Sequence, residues 1–239
     1  MKRLIVAIQF LTRLPTPRVA TSDEDFVGSM RWFPAVGLII GAIVAAGGWA
    51  GAWIDPWVGA LAALLLWIGV TGALHLDGLG DIADASGAAH KDRERMIAVM
   101  SDPHVGSFGV VAIALQIAAK LVLLHGAVAG QLWWAIALIP FAARIGPLLW
   151  SRLLPPLHAG LAARFAHVIR PVHLAIWAGA LLIACWFAPA LVAAPVAMLA
   201  WGAWLRRRIG GISGDGHGAG IELVESALLL IALVVARIA

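Results

Sequence analysis

The stretch FGVVAIALQIAAKLVLLHGAV, Phe108–Val128, decides the class of fold. A membrane span needs about 20 mainly apolar residues, and this stretch meets that length with a single basic side chain, Lys120, inside it. The chain around it has the same character. Of its 239 residues 62% are hydrophobic and 13% charged, with mean hydropathy +0.93, whereas a soluble domain has about a quarter of its residues charged. The composition predicts an all-α, polytopic integral membrane helix bundle. No polar linker divides the sequence, so residues 1–239 form one membrane domain.

Working outward, seven segments have the length and composition of spans or come close: Pro34–Ala52, Trp57–Leu76, Phe108–Val128, Leu132–Leu153, Leu174–Phe187, Leu191–Leu205 and Leu223–Ile238. The fifth and sixth are short and pair as a hairpin around Ala188–Ala190. Basic residues alternate between the connections. Lys2, Arg3, Arg13, Arg18 and Arg31 precede the first span, and Lys91, Arg93 and Arg95 follow the second. Arg152, Arg164 and Arg170 follow the fourth, and Arg206, Arg207 and Arg208 the sixth, while the intervening loops hold no Lys or Arg. By the positive-inside rule the basic loops and the N-terminus are cytoplasmic. The net charge of +4 therefore reports topology and does not call for nucleic acid. The opening residues Met1-Lys2-Arg3 and LIVAIQFL begin like a signal peptide but have no small-residue cleavage site, and are expected to lie as an amphipathic or re-entrant helix at the cytoplasmic face. Most tryptophans fall near one interface or the other, as an aromatic belt; Trp67 and Trp177 do not and are expected to pack internally. Cys185 is the sole cysteine, so no internal disulfide forms.

This topology gathers three polar loops on one side, near residues 75–107, 154–173 and 206–222, and most carboxylates lie in them. Asp77, Asp81 and Asp84 fall within about 60° of arc on a helix of 3.6 residues per turn, and Glu222 and Glu225 share a face. Two carboxylates about 5 Å apart repel by roughly 3 kcal/mol at an effective dielectric of 20, so three on one face beside lipid call for a cation or a proton. Oxygen ligands without cysteine suit a hard cation such as Mg²⁺; a solvated helix face is the plainer alternative. Gly-rich segments around Asp81 and Asp215, with basic residues nearby, suit a metal-chelated phosphate, although glycines also permit close helix packing. Within the spans, Lys120 and Arg144 must face the bundle interior or snorkel. Arg144 lies near enough to the cytoplasmic end to meet a phosphate.

The blocks HLDGLGDIADA (His75–Ala85), DRERMIAVMSDPHVGSFGV (Asp92–Val110) and GISGDGHGAGIELVE (Gly211–Glu225), with QFLTRLPTP (Gln9–Pro17) and FPAVG (Phe33–Gly37), resemble cobalamin synthase, the adenosylcobinamide-GDP ribazoletransferase family. The resemblance runs from residue 9 to 225. It implies a Mg²⁺-dependent enzyme of the bacterial cytoplasmic membrane, its active site facing the cytoplasm, that joins α-ribazole or its 5′-phosphate to adenosylcobinamide-GDP and releases GMP. On that resemblance Asp77, Asp81, Asp84, Asp215, Glu222 and Glu225 are the expected metal and pyrophosphate ligands. Asp81, Asp84 and Asp102 are the expected catalytic acids, with Asp84 or Asp102 as the base. His75, Gly78, Lys91, Arg95, His104, Gly106, Arg144, Gly214 and His217 are the expected substrate contacts. The bilayer is the expected surrounding, with room for a homo-oligomer or other cobalamin-assembly enzymes. Ser101, His104 and His158 stand where the family commonly has a basic residue, and Ser86 where it often has Gly. Two further classes were weighed. A phospholipid-type alcohol phosphotransferase would carry D-G-x-x-A-R, where this chain has Gly80-Asp81, and a cation transporter would hold its acids at mid-membrane.

Overall fold

The computed structural model describes residues 1–88, 93–100, 102, 104–157, 160–165 and 168–238. Among them there is no strand, and thirteen α-helices follow in order. They are α1 (Lys2–Leu11), α2 (Asp23–Ser29), α3 (Phe33–Ala52), α4 (Pro56–Thr71), α5 (Leu74–Ala88), α6 (Arg93–Met100) and α7 (Ser107–Ala129). After these come α8 (Trp133–Ala143), α9 (Gly146–Leu153), α10 (Leu161–Phe165), α11 (Pro171–Phe187), α12 (Ala194–Arg208) and α13 (Gly214–Ile238). Five helical runs are long and apolar enough to cross a membrane: Asp23–Ala52, Ser107–Ala129, Trp133–Leu153, Pro189–Arg208 and Gly214–Ile238. The pair α4–α5 passes the same test together but is bent by 83°, and α11 is a shorter apolar helix. Five of the seven expected segments thus fall on helices long enough to span, the second on the bent pair and the fifth on the shorter α11. Val111, Leu115 and Val122 on α7, Leu182 and Ile183 on α11, and Val196 and Leu199 on α12 point outward and exposed, as lipid-facing side chains would.

The expected span Trp57–Leu76 does not run straight to its end. It stops at Thr71, where Gly72 takes the left-handed conformation (φ 61°, ψ 32°) that closes many helices. Ala73 is also left-handed, with φ 59°, which costs an L-residue with a Cβ roughly 1–2 kcal/mol. The chain therefore turns, and α5 leaves the direction of the span. The Arg13 amide donates to the Val70 carbonyl at 2.7 Å, which ties the end of α1 to this corner. The amino-terminal segment is helical as expected, burying Val6, Ala7 and Leu11.

The expected span Leu132–Leu153 is interrupted too, at Arg144–Ile145 between α8 and α9. The Arg144 backbone N–H turns to the Ala142 carbonyl, and its guanidinium Nη1 donates to the Pro140 carbonyl instead, at 2.9 Å. The long helix α13 packs against α5, α7, α8, α9 and α12 and so occupies the middle of the bundle. A bridge between Pro156 and Ile212, made by the Leu157 amide to the Ile212 carbonyl and the Ile212 amide to the Pro155 carbonyl (both 2.9 Å), holds the second polar loop against the third.

Candidate active site

The acidic motif of α5 meets the start of α13 backbone to backbone. A Cβ on Gly78 would sit 2.9 Å from the Asp215 Cα, so only glycine lets α13 approach here. This contact brings Asp215 into the group formed by Asp77, Asp81 and Asp84. Asp77 is exposed, and Asp81 and Asp215 are half-buried. Burial, followed by the charges of Asp215, Asp77 and Asp84, pushes the Asp81 carboxyl up to about 6. Four carboxylates from two motifs that are distant in sequence therefore act on one another.

Asp84 faces away from this rim and is buried, 8% exposed. Its Oδ2 accepts the Gly106 N–H at 2.7 Å and its Oδ1 the Gly109 N–H at 2.9 Å. Gly106 is the N-cap of α7 and offers no side chain, so Asp84 serves as a cap supplied from another helix and satisfies two of the first-turn donors. The Gly106 amide, an expected substrate contact, is thereby engaged by Asp84. Asp102, the other acid expected as a base, is exposed and accepts from the His104 backbone N–H at 2.9 Å, with the His104 Nδ1 at 2.7 Å. The His104 backbone N–H, then its side chain, hold the Asp102 carboxyl below the usual range.

Glu222 and Glu225 lie elsewhere. Both are buried, at 4% and 0% exposure, and face Lys120 and Arg144, at 3% and 0%. Lys120 Nζ reaches Glu222 Oε2 and Glu225 Oε2 at 2.7 Å each, and Arg144 Nη1 reaches Glu225 Oε1 at 2.8 Å. Gln116 Nε2 donates to the Glu222 carboxylate at 2.9 Å and to Ser226 Oγ at 2.8 Å. The Lys120 ammonium lies 4.4 Å from the centre of the Trp67 ring. The sequence reading placed both glutamates beside the metal and Arg144 on a phosphate; the geometry joins them to one another. Lys120 is turned inward. Trp67 packs internally, as expected; Gln116 was missed, although it stands one turn before Lys120 on an otherwise apolar face and was a readable signal.

Beside the outer acids lies a cavity of about 160 Å³. Its rim carries Asp77, Gly78, Gly214 and Asp215, its walls His75, His217 and Gly218, and its floor Phe10, Leu11, Met30, Phe33 and Phe165. His75 Nδ1 lies 3.4 Å from Arg144 Nη2, and His217 Nε2 lies 3.3 Å from Ser151 Oγ. Each imidazole is buried, and the remaining nitrogens, His75 Nε2 and His217 Nδ1, have no partner among the described residues. A buried polar group left unmet costs about 1–3 kcal/mol.

Of the remaining expected contacts, Lys91 lies outside the described residues, as do Ser101 and His158, and Arg95 sits in α6. Among the described residues no three His, Cys, Asp or Glu side chains form a group that could hold a metal ion. A Mg²⁺ ion that keeps its waters and shares one or two carboxylates with substrate phosphates needs no such cage, and the mutually repelling rim acids fit that mode of binding.

Comparison with known proteins gives one answer throughout. The family described as cobalamin-5-phosphate synthase matches residues 3–233. A protein of Novosphingobium aromaticivorans named adenosylcobinamide-GDP ribazoletransferase is 63% identical over 234 residues, covering 96% of this chain and 95% of its own. Proteins of the same name from Laribacter hongkongensis (55% identical, covering 100% of this chain and 99% of its own) and Thiobacillus denitrificans (48% identical, covering 97% and 95%) also match. No solved structure matches the chain.

Proposed function

The chain belongs to the cobalamin-5-phosphate synthase family, and we propose that it transfers the adenosylcobinamide phosphate group from adenosylcobinamide-GDP to α-ribazole or its 5′-phosphate, releasing GMP. The observation that carries the site is the meeting of Asp77 and Asp215, from two separate motifs, on the rim of one cavity. A phospholipid-type phosphotransferase and a transporter are not favoured.

In this reading a hydroxyl of the acceptor ribose attacks the cobinamide-side phosphorus of the pyrophosphate, the bond from that phosphorus to the bridging oxygen breaks, and GMP leaves. Mg²⁺, when bound, would offset the charge that grows on the leaving phosphate. Asp77 and Asp215, the two acids on the cavity lining, hold the metal. Gly214 opens α13 and is exposed beside Asp215 on the cavity lining. Asp81 takes the proton of the attacking hydroxyl. Its raised proton affinity, about 6, matches a base working near neutral pH better than Asp84, which spends its oxygens on backbone amides, or Asp102, which is held low by His104. The Lys120–Glu222–Glu225–Arg144 group contributes no ligand to the metal in this reading. It fixes α13 against α7 and α8, so that Asp215 stays opposite Asp77.

The site faces the cytoplasm of the bacterial cell membrane in this reading, the side to which the basic loops assign it. The test is direct: purified protein in detergent, given adenosylcobinamide-GDP, α-ribazole 5′-phosphate and Mg²⁺, releases GMP and forms a cobamide. A folded preparation that yields no product overturns the reading.

A further inference from the structure

We propose that the cavity behind Asp77 and Asp215 receives the flat base of the acceptor, and that His75 recognises the free ring nitrogen of that base; this rests on the function proposed above. The cavity, about 160 Å³, is small beside the roughly 300–1,000 Å³ of sites that enclose whole drug-sized ligands. It admits one fused ring system and excludes a nucleotide or a corrin. Phe10, Phe33 and Phe165, with Leu11 and Met30, give it an apolar aromatic floor. A base buried there keeps its affinity only if it brings few polar atoms.

The two imidazoles set which atoms those are. Arginine has no acceptor, so the contact between Arg144 Nη2 and His75 Nδ1 at 3.4 Å makes Nδ1 the accepting nitrogen and leaves the proton on Nε2. That N–H has no partner among the described residues, and His75 lines the cavity at 2% exposure. It asks for an acceptor on the ligand. A benzimidazole-type base, with one nitrogen bonded to ribose and one free accepting nitrogen, meets the request. Guanine, the other base in the reaction, would bury an exocyclic amine and a carbonyl where the walls offer only two imidazole nitrogens, the carboxylates of Asp77 and Asp215 standing at the rim. The geometry therefore assigns the cavity to the acceptor and leaves the guanine outside it. With the base seated, the ribose emerges at the rim, where Asp77 and Asp215 stand and the hydroxyl has to react.

The experiment measures acceptor binding alone, by equilibrium dialysis of detergent-solubilised protein with two ribosides, one of benzimidazole and one of indole, which replaces the free nitrogen by C–H. The full chain is expected to prefer benzimidazole about tenfold or more, since the indole leaves the His75 donor unmet. H75F is expected to bind both equally. Because H75F also removes the Arg144 contact, its thermal unfolding is followed, and F165W supplies a second arm: it fills the floor and weakens both ribosides about tenfold or more without changing their ratio. A preference that survives in folded H75F, or affinities that F165W leaves unchanged, overturns the assignment. GMP release by the unmodified protein is measured beside these. Absence of release would overturn the proposed function itself, whereas release accompanied by indifference to the ring nitrogen would overturn only the base pocket.

Discussion

The molecule carries two groups of charged side chains, close together along α13 and opposite in design. In the inner group each carboxylate meets a cation: Glu222 and Glu225 lie on Lys120, and Glu225 also on Arg144, all nearly or wholly buried. In the outer group carboxylates gather against carboxylates, and burial, followed by these neighbouring charges, pushes Asp81 up to about 6. The inner arrangement is what a low-dielectric interior demands, because a buried charge without its partner is far costlier than the pair. At Asp81 the surroundings disfavour the charged carboxylate, and a proton relieves it. One group holds the fold, and the other is held by it.

The largest effect that would break this contrast is on turnover. Asp81→Asn or Asp77→Asn should lower kcat about a thousandfold or more while leaving the midpoint of thermal unfolding at or above that of the unmodified protein. A variant that unfolds, or that still turns over, erases the distinction. Asp81→Asn should also keep any Mg²⁺-dependent rise in the unfolding midpoint, and Asp215→Asn should lose it. Next in size, Lys120→Met should cost about 3–5 kcal/mol of stability by leaving Glu222 and Glu225 buried without their ammonium. Thermal unfolding in detergent reads the loss, and pairing the change with Glu222→Gln should recover part of it.

Asp84→Asn sharpens the comparison from the middle. The amide keeps one acceptor oxygen and turns an NH₂ toward a backbone N–H, so a loss of about 1–3 kcal/mol is expected, with turnover reduced only as far as α7 shifts. The pH dependence is smaller. Asp81 binds its proton more tightly when folded than when unfolded, so between the ordinary carboxylate range and about 6 the folded state holds more protons, and stability falls as pH rises through that window. The unfolding midpoint should drop from pH 4.5 to pH 7 in the absence of divalent cation, and Asp81→Asn should flatten the slope. Smallest of all, Ala73→Gly should stabilise the chain by at most about 1 kcal/mol, by relieving the left-handed conformation at φ 59°.

Much of this was legible in the sequence, and the physical reason is periodicity. Apolar length gave the spans, and the spacing of Asp77, Asp81 and Asp84 gave a shared helix face. The meeting of that face with Asp215 also followed from placing both loops on one side. Three things were not legible. The corner at Gly72–Ala73 is a departure from local preference at Ala73, so no propensity announces it. Asp84 looked like its neighbours because spacing cannot say which carboxylate is turned inward to cap α7. Glu222 and Glu225 were assigned with the other acids, although two buried cations, Lys120 and Arg144, needed partners inside the bundle. Counting charges within the spans would have separated the two groups.

Helix α13 runs unbroken for 25 residues, about 37 Å at 1.5 Å per residue, with Asp215 at one end and an apolar tail at the other. It is a central post with Asp215 at its tip and five other helices packed along its shaft. Lys120 of α7 and Arg144 at the end of α8 grip it at Glu222 and Glu225, so the shaft and its tip hold one position against those helices.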